Sequence, residues 1–352
     1  MIIKEGLPQV DKQKVVVLTI TYNHSLYIED ALKGFAMQQT DFPFLCCVFD
    51  DASTDGEQDV LKKWVENHCN ANDIEVYDLP LAAILKAPDK TNTNCIYVIY
   101  LQKVNTWGKP EKGELLDFWH NKGEYIALCE GDDCWIDPLK LQKQVDFLDA
   151  NEEYVLSHTN HDINNQSKHI VRKISRNLKT GNVLNLLLNR SYRVSTCTSV
   201  YRTDAYNKIP KLWKVQNFKM GDLPLWIELA QIGGFHYLKD VTAVYRVLDN
   251  SASHRSNESN KEVDFIRSQY DVINFYMEQL HIPYDIERNN FNMYCTLLKR
   301  MYEIENVNLA CEYYLILKES PYDIPFKTKL FFWGTKYKTI RFIITQIYSL
   351  LK

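Results

Sequence analysis

The sequence lacks several features that mark common classes of protein. Lys and Arg number 41 against 45 Asp and Glu, so the net charge is −4 and the basic excess typical of nucleic-acid binders is missing. The nine cysteines include no CxxC pair, so the chain gives no signal of a zinc ribbon or a redox dithiol. No uncharged apolar stretch reaches the ~18 residues of a membrane-spanning helix. We therefore expect no nucleic-acid partner and no integral membrane segment.

Two further observations bear on location. The N-terminal residues 1–6 contain no apolar core of a signal peptide. Several cysteines lie inside apolar runs, where thiols behave as small hydrophobic groups, and this favours a reducing compartment. The sequence therefore predicts a cytoplasmic protein.

The first half of the chain alternates between strand and helix patterns. Apolar runs at 15–20, 44–49 and 95–100 read as buried strands, and helical apolar spacing follows the first two. This order predicts an α/β fold with a mostly parallel sheet flanked by helices. From about Lys261 onward the pattern is almost wholly helical. We therefore predict two domains, 1–257 and 258–352, with the second as a helical C-terminal extension.

Acidic residues follow two of the predicted strands. Asp50-Asp51 ends the run at 44–49, and Glu130-Gly131-Asp132-Asp133 ends an apolar run at 125–129. Ligands of open α/β sheets bind outside the carboxyl ends of the strands. Buried carboxylates are costly unless compensated, and hard divalent cations prefer carboxylate oxygens. Alternatively, each pair serves only as a turn or helix cap.

Three motifs together resemble the family 2 glycosyltransferases, which are inverting, nucleotide-sugar-dependent enzymes with the Rossmann-like GT-A fold. The resemblance covers roughly residues 13–255. Within this range, residues 135–144 also resemble the bacterial members of the family that build surface polysaccharides. The motifs are Thr21-Tyr22-Asn23-His24, Asp50-Asp51-Ala52-Ser53-Thr54-Asp55-Gly56 and Glu130-Gly131-Asp132-Asp133-Cys134-Trp135.

The resemblance implies roles for the residues at the strand ends. Asp51 matches the aspartate that reads the uracil of a UDP-sugar, and Asp133 matches the direct ligand of a Mn²⁺ or Mg²⁺ ion. Asp132 is expected on the ribose or sugar side of the donor. The remaining expected donor contacts are Thr21, Tyr22, Asn23, Trp135 and Arg246.

Two positions in the second half complete the implied site. Asp222, at the start of a helical pattern, matches the catalytic base that takes the acceptor proton. His254 matches a histidine that completes the metal site in some similar enzymes. Without the resemblance, each residue has an ordinary alternative. Asp222 is then a helix cap, and His254 is a loop histidine. Arg246 is then the partner of a nearby carboxylate.

The resemblance implies transfer of a sugar from a nucleotide-diphosphate donor to a hydroxyl of a glycan or lipid-linked acceptor. One alternative is a metal-dependent nucleotidyltransferase, which favours a Gly-rich basic loop after the first strand. This chain has no glycine in Thr21-Tyr22-Asn23-His24. The other alternative is an inactive GT-A scaffold or glycan-binding module. The donor sugar, the linkage and the oligomeric state stay open.

The C-terminal segment 327–352 is basic and aromatic and contains no acidic residue. Amphipathic helices of this composition lie on anionic membrane surfaces. We therefore predict peripheral membrane contact through this segment, at the inner face of the plasma membrane. The alternative is a terminal helix packed on the protein or on a partner.

Overall fold

The chain folds as two compact units. The computed structural model describes residues 6–166, 169–174, 176–216, 218–248, 250–251, 254–255 and 259–350. The first unit runs up to Pro210 and includes Glu228–Val247, and the second comprises Lys211–Ile227 and Leu248–Lys352. Residues 1–5 of the N-terminal segment lie outside the described residues, as do 351–352.

A single mixed sheet forms the first unit. Its order is β3-β4-β5-β2-β1-β6-β10-β8-β11-β7, and β9 pairs with β8. The strands are β1 (Gln13–Thr21), β2 (Phe44–Asp50), β3 (Glu75–Asp78), β4 (Ala82–Pro88), β5 (Cys95–Gln102), β6 (Gly123–Leu128), β7 (Cys134–Trp135), β8 (Tyr154–Asn165), β9 (Ile170–Arg172), β10 (Val200–Arg202) and β11 (Gly234–Val247).

The centre of the sheet is parallel. Strand β1 lies between β2 and β6, and β2 also pairs with β5 in the same direction. Every residue of β2 is buried, as expected for a strand covered on both faces. Antiparallel pairs occur toward the ends of the sheet, at β3, β4, β7 and β9, and also within it, where β10 lies between β6 and β8.

Helices cover the faces of this sheet. The predicted apolar face of α1 is confirmed, since Ile28, Ala31, Leu32 and Phe35 are all buried. These side chains join the main core with residues from the central strands. The helices of this part are α1 (Ile28–Ala36), α2 (Glu57–His68), α3 (Pro110–His120), α4 (Lys140–Ala150), α5 (Leu184–Leu188) and α6 (Thr203–Lys208), and α7 (Asp222–Ala230) contains residues of both units.

The second unit is mainly helical, as the sequence predicts. Its core contains Leu297, Met301 and Tyr313, which pack between successive helices. None of the described helices is both long and apolar enough to cross a membrane. The elements are β12 (Asn250–Ser251), β13 (His254–Arg255), α8 (Ser259–Gln279), α9 (Ile286–Ile304), α10 (Val307–Glu319), α11 (Phe326–Lys336) and α12 (Lys338–Leu350).

The division between the units differs from the predicted boundary at 257/258. Residues 211–227 and 248–257 group with the C-terminal helices. Contacts of this segment with α8 explain the difference. The Phe218 ring packs against Phe275 at 5.7 Å, and the Lys219 N–H donates to Ser268 Oγ at 2.8 Å. Such contacts join distant stretches of chain and leave no mark in local sequence patterns.

Lys140 is a fully buried cation in the core of the first unit. Its Nζ donates to Gln144 Oε1 at 2.8 Å and lies 4.3 Å from the centre of the Trp135 ring. Burial lowers the pKa of Lys140 to about 7, because the charged form is desolvated. Between that pH and the ordinary lysine pKa of 10.5, the unfolded chain holds a proton that the folded chain releases. Folding stability from this group therefore rises with pH across the window and is lost as pH falls toward 7.

We predict that Lys140→Met removes this pH dependence. The free energy of unfolding of the wild type, relative to the variant, should rise by about 1.4 kcal/mol per pH unit between about pH 7 and 9. Denaturant unfolding of both proteins at about pH 7, 8 and 9 measures the difference. Parallel pH profiles for the two proteins would contradict the assigned titration.

Candidate active site at the sheet edge

Neighbouring parallel strands bring the predicted acidic motifs to one edge of the sheet. At the end of β1, Thr21 pairs with Asp50 of β2, and the Asp51 N–H donates to the Thr21 carbonyl at 3.0 Å. On the other side of β1, the Gly131 N–H donates to the Ile20 carbonyl at 3.1 Å. The end of β1 therefore links both acidic loops directly.

Gly131 allows the loop after β6 to approach β1 closely. A Cβ atom at this position would lie 2.1 Å from Thr21 Oγ1 and 2.5 Å from Thr21 Cβ. No side chain fits at those distances. The glycine of the acidic motif is therefore a packing requirement, and it fixes the carboxylates that follow it against the first strand.

Asp51 is buried and fully engaged within the first unit. Its Oδ1 accepts from the Thr106 N–H at 2.6 Å and the Thr106 hydroxyl at 2.7 Å, and its Oδ2 pairs with Lys112 Nζ at 2.8 Å. Desolvation favours the neutral acid, but Lys112 and Thr106 outweigh it and lower the pKa of Asp51. Asp51 is thus held as a carboxylate. To contact a nucleotide base as predicted, it must exchange a hydrogen bond to Lys112 or Thr106 for one to the base, or accept both.

The loop after β1 adopts a left-handed backbone. Asn23 has φ +58°, and its Oδ1 accepts from the Thr54 N–H at 2.8 Å. Ala52, directly after Asp51, has φ +62°, which is unusual for a residue with a Cβ. Backbone strain of this kind concentrates at functional sites. Tyr22 is 45% exposed, so its ring is accessible beside the acidic edge.

Glu57 ties these two loops together and was not predicted from the sequence. Its carboxylate is buried and accepts from the Thr21 hydroxyl, from the His24 N–H at 2.8 Å and from the Ser53 hydroxyl at 2.9 Å. Desolvation raises the pKa of Glu57, although these hydrogen bonds oppose the effect. The signal available in the sequence was its place one residue after Gly56, at the start of α2.

Asp133 is only 1% exposed and lies among like charges. Its Oδ1 accepts from the Arg246 N–H at 2.8 Å, and the Cys197 thiol also bonds its carboxylate. Desolvation, followed by the charges of Asp132 and Glu130, raises the pKa of Asp133 well above its ordinary value. Without a cation beside it, the Asp133 carboxyl therefore takes up a proton more readily than an ordinary aspartate.

Arg246 braces the acidic loop. Its guanidinium donates to the Asp132 carbonyl at 2.9 Å and pairs with Asp30 Oδ2 at 2.6 Å. It also lies 5.3 Å from the centre of the Tyr27 ring. In this structure Arg246 therefore positions the loop through two contacts, and the predicted contact with the donor would be made in addition to them.

Trp135 differs from the expectation of a donor contact. The indole is only 2% exposed, packs edge-on against Phe35 at 4.8 Å and donates from Nε1 to the Cys197 carbonyl at 2.8 Å. With Lys140 over its face, no exposed surface remains for a sugar ring. Trp135 is buried because α1 and α4 enclose β7. Its position next to the acidic motif in the sequence did not indicate this burial.

The residues at this edge suit a divalent cation in chemical terms. Asp132 is partly accessible and its Oδ2 lies 4.0 Å from His24 Nε2, while the charges of Asp132 and Glu130 both act on Asp133. Among the described residues no group of three or more His, Cys, Asp or Glu could hold a metal by itself. Mg²⁺ is commonly held by one or two carboxylates together with substrate phosphates. The donor set therefore fits an ion that is completed by a phosphate ligand.

The other two predicted residues lie in the second unit. Asp222 is the first residue of α7, and it is exposed. His254 begins β13, which pairs with β12, and its side chain lies outside the described part of the structure. The roles predicted for both residues stay predictions.

Comparisons with known proteins extend these observations. No protein-family model matches the chain. Uncharacterized proteins of Mycobacterium bovis and Mycobacterium tuberculosis are 33% identical over 137 residues, which is 39% of this chain and 32% of those proteins. The chain thus spans about a third of the length of these relatives. TuaG of Bacillus subtilis, named for a glycosyltransferase role in teichuronic acid biosynthesis, is 23% identical over 75% of this chain and 91% of its own.

Among solved structures, the mannosyltransferase PcManGT of Pyrobaculum calidifontis, in complex with GDP-Man and Mn²⁺, is similar over 97% of this chain and 86% of its own. The TM-score is 0.52 at 14% identity, so this likeness concerns the fold. The fold expected from the motifs is confirmed. The chain has the GT-A fold with a helical C-terminal region, and it is similar to glycosyltransferases of bacterial polysaccharide synthesis.

Proposed function

We propose that this protein is an inverting glycosyltransferase that moves a sugar from a nucleotide-diphosphate donor to a hydroxyl of a glycan or lipid-linked glycan acceptor. The observation that carries the proposal is the convergence of Asp51 and the Glu130–Asp133 loop at the carboxyl ends of adjacent parallel strands. Ligands of open α/β sheets bind at this edge. The similarity to TuaG supports the same activity.

The nucleotide is proposed to bind along the end of β1. Asp51, held as a carboxylate, accepts from the base, and the exposed Tyr22 and the rigid Asn23 loop form the adjoining wall. We expect a UDP-sugar on the basis of the motifs. PcManGT is described with GDP-Man, so the choice of base has to be measured.

The diphosphate is proposed to lie beside the Glu130–Asp133 loop, with Asp133 as the direct ligand of a Mn²⁺ or Mg²⁺ ion and Asp132 on the ribose or sugar side of the donor. Such an ion supplies charge neutralisation for the leaving diphosphate. The burial of Asp133 beside two other acids supports this assignment, because desolvation and then the charges of Asp132 and Glu130 raise the pKa of Asp133. The complex of PcManGT with Mn²⁺ is consistent with it. Within the chain itself, the Arg246 N–H keeps Asp133 oriented and Arg246 holds the loop backbone.

Asp222 is proposed as the base that takes the proton from the acceptor hydroxyl. Single-displacement inversion needs a carboxylate on the side opposite the leaving group. Asp222 is exposed at the start of α7, so its carboxylate is accessible to an acceptor. His254 is proposed as an additional ligand on the metal or diphosphate side.

The C-terminal helices are proposed to touch an anionic membrane, where lipid-linked acceptors reside. In α11 and α12, Phe326, Phe342 and Ile343 are exposed to 69%, 65% and 56%. Lys336, the last residue of α11, and Lys338, the first residue of α12, are both exposed. Each basic residue near an anionic surface contributes about 1 kcal/mol. All nine cysteines are free, which agrees with the proposed reducing, cytoplasmic location.

The first prediction concerns the donor site. Calorimetric titration of UDP into the protein should show binding that strengthens at least about tenfold when Mn²⁺ is present, since an ion held by Asp133 would neutralise charge on the diphosphate. Asp133→Asn should remove the Mn²⁺ effect. Asp146→Asn, at an exposed carboxylate on α4, serves as the matched control and should behave as wild type. If the wild type binds UDP and GDP with affinities that do not change when Mn²⁺ is added, the result would contradict the proposed metal-dependent donor site.

The second prediction concerns the base. Asp222→Asn should keep Mn²⁺-dependent nucleotide binding and lower the rate of sugar transfer by at least about 10²-fold, because general base catalysis typically supplies 10²–10⁴ in rate. The measurement pairs the calorimetric titration with nucleotide diphosphate release in the presence of acceptor. Transfer at a near wild-type rate would assign the base to another residue.

The third prediction concerns the membrane. The protein should sediment with vesicles containing phosphatidylglycerol and not with pure phosphatidylcholine vesicles. The double change Phe342→Ser with Ile343→Ser should weaken sedimentation about tenfold, because it removes the exposed apolar pair. Leu315→Ser, at a residue of α10 that is 60% exposed, is the matched control. Equal binding of all three proteins would contradict a role for this surface.

A further inference from the structure

The second unit contains an open polar pocket that the proposed donor site does not use. Its volume is about 390 Å³, which is within the range of small-molecule sites. We call it the α8 pocket. It is lined by Phe218, Lys219, Asp264, Arg267, Ser268 and Asp271.

Helix geometry explains one wall of the α8 pocket. Asp264, Arg267, Ser268 and Asp271 follow the spacing i, i+3, i+4 and i+7, which places them on one face of α8. The face therefore alternates carboxylate, guanidinium, hydroxyl and carboxylate groups. No ion pair joins Arg267 to either aspartate within the described residues, so both kinds of charge are available to a ligand.

The segment before α7 forms the other wall, and it is fixed in place. The Lys219 N–H donates to Ser268 Oγ at 2.8 Å, and the Phe218 ring meets Phe275 at 5.7 Å and 71°. The half-buried Phe218 ring adds an apolar surface to a polar pocket. The wall is thus a rigid combination of an aromatic ring and an exposed ammonium group.

Arg267 is held at the wall of the α8 pocket by Tyr313. Its guanidinium lies 6.0 Å from the centre of the buried Tyr313 ring and donates a hydrogen bond to the Tyr313 hydroxyl. The position of this cation is therefore fixed by the protein, while Arg267 still lines the pocket.

The chemistry of the α8 pocket selects among ligand classes. Two aspartates balance Arg267 and Lys219, so the formal charge is zero, and a phosphate or other polyanion would meet two carboxylates. An apolar ligand would leave four charged groups dry. Sugar hydroxyls both donate and accept, so they match carboxylates and cations together, and a sugar face packs on an aromatic ring.

We propose that the α8 pocket binds a neutral saccharide unit of the acceptor. The inference rests on the proposed function, because Phe218 and Lys219 precede the proposed base Asp222 by four and three residues in the same compact unit. A sugar held by this segment belongs to the substrate whose hydroxyl Asp222 deprotonates. The pocket thereby sets acceptor preference independently of the donor site.

Saturation-transfer NMR on the full chain tests the proposal with four probes, the methyl glycosides of glucose, galactose, mannose and N-acetylglucosamine. At least one should receive saturation from the wild type. Arg267→Gln and Asp264→Asn should each reduce that signal at least about fivefold. Asp264 is exposed, so its variant keeps the fold, and Glu278→Gln on the same helix is the matched control that should keep the signal.

Two results would overturn the proposal: no saturation of any of the four sugars, or a signal that survives both pocket variants. The measurement needs no donor, so its failure is distinct from failure of the proposed function. Sugar binding that is sensitive to Arg267→Gln, in a protein without nucleotide-sugar turnover, would retain the pocket and contradict the transferase. Nucleotide-sugar turnover without saturation transfer to any of the four sugars would support the transferase and contradict the proposed pocket.

Discussion

The compensation of buried carboxylates at one edge of a parallel sheet is the constraint on which the site depends. Strands β2, β1 and β6 end together, and the loops after them carry Asp51, Glu57 and Asp133 into protein-covered positions. Asp51 is neutralised by Lys112 and Thr106. Glu57 is hydrogen-bonded by the loops that it joins. Asp133 has a single backbone N–H and a thiol, under the charge of two neighbouring acids.

This difference in compensation divides the edge into two halves. Around Asp51 the chain supplies its own cation, Lys112. In the proposed reaction, the nucleotide base is therefore recognised by exchange of hydrogen bonds that Asp51 already makes. Around Asp133, in the part of the chain that the structure describes, the nearby cation of Arg246 is paired with Asp30. A metal and a diphosphate complete the second half in the proposed reaction. The same arrangement explains why the close approach at Gly131 is needed, since it fixes the uncompensated loop to β1.

Much of this arrangement could be predicted from the sequence. Apolar runs ending in acidic residues located the central strands and their shared edge, and the order of the motifs indicated the fold. The partners of those acids could not be predicted. Lys112 reaches Asp51 across 61 positions and Arg246 reaches Asp30 across 216. Trp135 was misjudged for the same reason, because burial between α1 and α4 is a property of packing. Likewise, contacts of 218–219 with α8, and not local composition, decide where the two units divide.

The central claim is that the uncompensated acidic edge serves metal-dependent sugar transfer from a nucleotide donor. The most direct measurement is the release of nucleotide diphosphate from a panel of UDP-, GDP- and dTDP-sugars, with Mn²⁺ and with chelator. We predict release from at least one UDP-sugar with Mn²⁺ and its loss with chelator. Release from none of the donors, or release that is unchanged by chelation, would contradict the account.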